Sequence, residues 1–126
     1  VEAEFLIKKK VDEQFLRDIA ITAIEGGTGY WASVSEYRAD VAANEIIVVI
    51  HFYEGEDDGD DQQTRKLTLM DIAEGIKRVL NPEFRVGDQI KGCLIQSICS
   101  NDAGMADADV ADVIVQAALF GEIVYG

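Results

Sequence analysis

"NEIIVVIHFYE", residues 44–54, decides how the rest of the chain is read. The run is rich in β-branched residues, which suit a pleated surface better than a helix. Its near-continuous apolar character, in place of strict alternation, puts this strand at the centre of a sheet. Upstream, "GYWASVSEYR" (29–38) reads as a second strand, and "ADVAAN" (39–44) as the hairpin connection between them. Downstream, an acidic run and "QQT" (62–64) form a loop, and "RKLTL" (65–69) adds a short third strand. "AEFLIKK" (3–9) also has strand character, with Lys8 to Lys10 at its exposed end.

Helical periodicity surrounds this sheet. Asp12 is placed as an N-cap, with Val11 and Leu16 as a hydrophobic staple. The stripe Phe15, Ile19, Ala23 and Leu16, Ala20, Ile24 then follows. Gly26 or Gly27 ends that helix, since glycine enters the left-handed conformation without a Cβ clash. A second helix starts at a capping box of Thr68 and Asp71 and stops at Asn81-Pro82. Residues 83–93 read as irregular, and "CLIQSICS" (93–100) fits a strand or a short helix equally. Asp107 caps a last, largely buried helix that Gly121 ends, and "EIVYG" is a terminal strand or an extended tail. The expected fold is α+β: a small, mostly antiparallel sheet packed with about three helices, in a single domain spanning residues 1–126.

Charge is the strongest bulk signal. Twenty-four acids against 11 bases give a net charge of −13, and no base follows Lys91. Such a chain repels nucleic acid and anionic membrane and is attracted to basic protein surfaces. No stretch of 18 apolar residues spans a membrane, and the N-terminus is too acidic for a signal peptide. Cys93 and Cys99 are too few for a disulfide scaffold and suit a reducing cytoplasm.

Three places invite a site. In "AIEGGTGYWASV" (23–34) the glycines follow a helix and precede a strand, the wrong order for a dinucleotide loop. Gly26-Gly27 therefore reads first as a helix end and turn. An acid at a helix end opposes the dipole, so Glu25 is a candidate for a specific contact. Tyr30 and Trp31 would point to opposite faces of a strand, one for the core and one as a surface anchor. Glu25, Gly26, Gly27, Tyr30 and Trp31 together form the alternative, a small-molecule pocket closed from behind by the terminal helix. The second place is "EGEDDGDD" (54–61), which lacks the ligand spacing and final Glu of a calcium loop; it reads as a solvated hairpin-like loop, or as a row of charges that mimics DNA in the nucleic-acid groove of a partner protein. The third is His51, the only histidine, read as a core or sheet-surface residue. No catalytic triad, metal site or cofactor is expected.

The pair "AIEGGTGYWA" and "DADVADVIVQAALFGEIVYG", with "LTLMDIAEGIKRVL" between them, resembles small proteins of bacteriophages and prophages, especially those of actinobacterial hosts. That group carries no assigned activity, so the resemblance transfers no functional residue. It implies a phage accessory protein acting in the cytoplasm of a bacterial host. By analogy of class, small acidic phage proteins are similar to inhibitors of CRISPR and restriction nucleases that cover a basic DNA channel. The leading expectation is thus an inhibitor that docks on a host protein with a basic nucleic-acid-binding surface, itself binding no nucleic acid. Glu54, Glu56, Asp57, Asp58, Asp60, Asp61, Asp102, Asp107, Asp109 and Asp112 would supply charge, and Tyr30 or Trp31 an aromatic anchor. A phage structural component that forms homo-oligomers is the third reading.

Overall fold

The computed structural model describes residues 3, 8–53 and 61–126. Most of the strand expected at 3–9, and Glu54, Glu56, Asp57, Asp58 and Asp60 of the acidic run, lie outside the described residues. The rest forms one α+β unit. Strands β1 (Ala32–Tyr37), β2 (Ile46–Tyr53) and β3 (Gln62–Thr68) make an antiparallel sheet in the order β1-β2-β3. The apolar run is the central strand, as its composition requires, with Ile47, Val48, Ile50 and Phe52 buried. β3 is longer than expected, because Gln62, Gln63 and Thr64 pair with Tyr53, Phe52 and His51.

Four helices cover one side, one more than expected: α1 (Glu13–Thr22), α2 (Leu69–Leu80), α3 (Asp88–Ser100) and α4 (Ala108–Phe120). Each start that the sequence marked is capped as its residues predict. Asp12 accepts from the Phe15 amide at 2.9 Å. That bond, with Asn101 beside it, holds the Asp12 carboxyl below its ordinary range. Thr68 and Asp71 close a reciprocal capping box, and Asp107 accepts from Val110 at 3.0 Å. Gly121 ends α4 in the left-handed region at φ 73°.

α3 is the departure. Its N-cap, Gly87, has no side chain to mark the start, Gly92 lowers helix propensity inside it, and only Leu94 and Ser97 are buried within it. With so narrow an apolar stripe, the helical period in 83–100 is faint. α4 is the opposite case. Residues 110 to 117 are all buried, so it sits as the central helix against α2, α1 and α3. Gly75 lets α2 come this close, since a Cβ there would stand 2.5 Å from the Ile114 carbonyl oxygen. Among the described residues no helix is long and apolar enough to cross a membrane.

Candidate functional site

The end of α1 does not turn as the glycine pair suggests. The chain widens into a single π-helical turn over Ala23–Gly27, closed by the Thr28 amide on the Ala23 carbonyl at 2.9 Å. Neither Gly26 nor Gly27 has positive φ. Gly27 is needed for another reason: a Cβ there would lie 2.7 Å from the Ala108 carbonyl oxygen and 3.3 Å from Asp112 Cβ. The missing side chain lets the end of α1 rest directly on the first turns of α4. Single π-turns inside helices are frequent at functional sites. Here the turn carries Tyr30 and Trp31 onto one carboxylate.

That carboxylate is Asp112. Trp31 Nε1 donates to Asp112 Oδ1 at 2.8 Å, and the Tyr30 hydroxyl donates to Oδ2 at 2.6 Å. Gln116, one helical turn on, donates from Nε2 to both oxygens at 3.2 Å. Burial of the Tyr30 hydroxyl, together with the charge and hydrogen bond of Asp112, pushes its pKa up to about 12. Tyr30 and Trp31 thus leave β1, which starts only at Ala32, and lie in the turn before it. They converge on one partner where a strand would have sent them to opposite faces.

The C-terminal segment completes the cluster. Gln116 Oε1 accepts from the amides of Val124 (2.8 Å) and Tyr125 (2.9 Å), and its Nε2 donates to the Tyr125 carbonyl at 3.1 Å. One side chain therefore pairs with an extended backbone much as a strand would. The Tyr125 ring stacks on Trp31 with centroids 4.8 Å apart and planes 6° from parallel. Phe52 and Phe120 meet Trp31 edge-on or tilted at 5.8 Å. The Tyr125 hydroxyl donates to the Tyr53 carbonyl at 2.6 Å, tying the tail to β2. The last residues form an extended tail and no strand.

The sequence-derived candidates fall into two groups. Gly27, Tyr30, Trp31 and Asp112 are brought together, while Glu25 and Gly26 sit exposed at the rim. Beside Gly27 no room remains for even a methyl group, and the face of Trp31 carries the Tyr125 ring. Cavities of about 400 Å³ lie elsewhere, one lined by Glu36, Arg38, Glu45 and Lys66, the other by Glu83, Arg85, Glu122 and Ile123. Asp112 departs from the set of carboxylates expected to meet a partner. It is only 7% exposed, and both oxygens are already engaged. Asp61, Asp102, Asp107 and Asp109 are exposed. Asp102 caps the short turn before α4 through the Gly104 amide. The ion pairs of the described residues join Arg17 to Glu13, Arg38 to Glu36 and Arg78 to Glu74, so Asp102, Asp107 and Asp109 keep their charge unpaired.

Gln116 and Tyr125 escaped the sequence reading. Gln116 had left a signal: one amide inside the apolar run "VIVQAALF" must find partners when buried. His51 lies on the open face of the sheet, with Ser35 Oγ 2.7 Å from Nε2 and Thr64 Oγ1 2.8 Å from Nδ1. Ser35 is the extra residue of a β-bulge between Val34 and Glu36, which aims it at the ring. Ser35 on β1, His51 on β2 and Thr64 on β3 thus form a hydrogen-bonded row that ties the three strands together. Comparison with protein-family models, curated proteins and solved structures returns no match.

Proposed function

We propose that the protein is a binding protein that docks, through its acidic surface, on a basic, nucleic-acid-handling protein of a bacterial host, and inhibits it in the manner of anti-restriction or anti-CRISPR proteins. The observation that carries this reading is the net charge of −13, together with exposed, unpaired carboxylates at Asp102, Asp107 and Asp109. These three lie within eight residues on the connection into α4, beyond the last base of the chain. α4 is buried from Val110 to Ala117, so Asp107 at its N-cap and Asp109 in its first turn are held on a rigid element. Asp61 and the acidic run before it add charge from the end of the β2–β3 connection. Rigid like-charged groups of this kind steer encounter with an oppositely charged surface and raise the association rate more than they slow dissociation.

The test is affinity against ionic strength for a restriction nuclease and a CRISPR effector. Binding should weaken at least about tenfold between 50 and 200 mM salt, as displacement of a polyanion's contacts requires. Reversal of Asp102 and Asp109 to lysine should weaken it further and flatten that slope. Binding that is indifferent to salt and to both reversals would sink the electrostatic reading.

A further inference from the structure

We propose that the C-terminal segment 121–126 is an exchangeable strap, and that a second copy of this chain is the partner with which it exchanges. In the two-fold dimer each copy's Tyr125 seats in the Trp31–Gln116 groove of the other, and the groove is complete only with a tail in it.

The tail is held as a ligand is held. Its backbone groups at 124 and 125 bond to Gln116, and the Tyr125 carbonyl also accepts from the Tyr30 hydroxyl at 3.2 Å. Its ring is stacked on Trp31, and its hydroxyl reaches the Tyr53 carbonyl. All of these contacts join the tail to the α1–α4 and β2 body. The covalent link to that body is Gly121, at φ 73°, where an added Cβ would meet nothing within 4 Å. A glycine in open space is a hinge that can re-aim the chain without a clash. Tyr125 lies four residues beyond the hinge, and four extended residues reach roughly 14 Å, so the two grooves of the dimer must lie side by side.

The groove itself selects the occupant. It reads two consecutive amides, one carbonyl, a flat phenol ring and a phenolic hydroxyl at fixed separations. A second copy supplies that set unchanged, and exchange of an identical element is a low-cost route to a two-fold dimer. Because the contacts are the same in the closed and exchanged forms, they cancel. What remains is the effective concentration of a chain's own tail at its own groove, on the order of millimolar for so short a link. The wild-type chain is therefore closed at micromolar concentration and exchanges as it approaches about 1 mM. Strain at the hinge shifts that balance. In Gly121→Val a β-branched residue must hold φ 73° in the closed form, and straightening the hinge in the dimer relieves it. A left-handed residue costs of the order of 1–2 kcal/mol in each closed chain, and the dimer relieves it at both hinges, so dimerisation should move to roughly a hundredfold lower concentration.

Two measurements on the full chain test this. Sedimentation equilibrium should show Gly121→Val dimerising at about one-hundredth of the concentration the wild-type chain needs. Trp31 is the only tryptophan, so its emission reports its own groove alone. Tyr125→Ser leaves Trp31 unstacked. An equimolar mixture with Trp31→Phe, which has a normal tail and no tryptophan, should restore wild-type emission as the mixed dimer forms. Monomers for wild type and Gly121→Val at every concentration up to about 1 mM overturn the proposal. So does a dimer in which Trp31 emission is not restored, since another surface then holds it. The sedimentation arm decides the question by itself if Trp31→Phe does not fold.

Discussion

Asp109 and Asp112 lie on the same helix, three residues apart, and meet opposite fates. Asp109 stands exposed at the first turn of α4, where it faces water and the positive end of the helix dipole. Asp112 is buried against the π-turn and accepts from Trp31, Tyr30 and Gln116. In sequence both are acids of the motif "DADVADV", and both were candidates for the same partner surface. The difference comes from what packs on each. A glycine at 27 lets the end of α1 touch α4 at Ala108 and Asp112, and that contact takes the second carboxylate out of the surface. A carboxylate that is buried with both oxygens engaged is lost to recognition, whatever its place in the sequence.

The largest effect should come from removing the claimed carboxylate. Asp112→Ala leaves the indole NH, the Tyr30 hydroxyl and the Gln116 amide facing an empty site. Each unsatisfied buried donor costs of the order of 1–3 kcal/mol, discounted here for the part-exposed Tyr30, so a loss of about 3 kcal/mol in chemical denaturation is expected. The tail should loosen as well, seen as faster amide exchange at Val124 and Tyr125, because Asp112 orients the Gln116 amide that holds them. A loss under about 1 kcal/mol, within the range of an ordinary surface change, would show that the cluster is incidental.

Gly27→Ala tests the contact that creates the difference. Its Cβ would press on a backbone oxygen, which cannot swing aside as a side-chain tip would. The end of α1 must lift from α4 at a cost of roughly 2 kcal/mol, in the range of an overpacked core. Gly26→Ala is the control, since its Cβ meets only Ala108 Cβ at an ordinary 3.6 Å. Equal effects at the two glycines would mean that helix-end flexibility, and no close approach, is what the pair provides.

These positions show where sequence reasoning reached and where it stopped. Caps at Asp12, Thr68, Asp107 and Gly121 were legible because each depends on residues within one turn of itself. The central strand was legible because five consecutive β-branched residues leave little choice. The helix end at Gly27 was placed correctly for a reason that proved different: the glycine makes room for α4, whose Ala108 lies 81 residues away, and has no positive φ. α3 was hidden by its two glycines and thin apolar stripe. The Asp112 cluster was half visible. Tyr30 and Trp31 stood out as a pair, but their partner lies 82 and 81 residues away, and spacing carries no information at that distance.

A smaller effect separates the two regions by pH. Tyr30, whose hydroxyl is bound to Asp112, has its pKa raised to about 12 from the ordinary 10. The unfolded chain therefore loses this proton first as pH rises. The contribution of this group to stability should be constant below about pH 10 and be lost between pH 10 and 12. Tyr37, which burial and then Asp18 and Glu25 also push up, contributes to the same slope. Tyr30→Phe should make the alkaline fall shallower without abolishing it. An unchanged slope would mean that the Tyr30–Asp112 bond is not formed in solution.

The smallest expected change in stability belongs to the unclaimed carboxylate. Asp109→Asn removes a charge that makes no ion pair, and it loses only the favourable interaction with the start of α4. That interaction is worth about 0.5 kcal/mol at an exposed site, a sixth of the loss expected at Asp112. Its effect on binding runs the other way: as an exposed charge on a rigid helix start, Asp109 should slow association with a basic partner when neutralised, most at low salt. Asp112→Asn, by contrast, should alter association only as far as it unsettles the fold. The two substitutions change the formal charge by the same amount, three residues apart, so bulk charge drops out of the comparison. If they slow association equally while the fold survives, the partner reads net charge alone, and where α4 places its acids has no bearing on recognition.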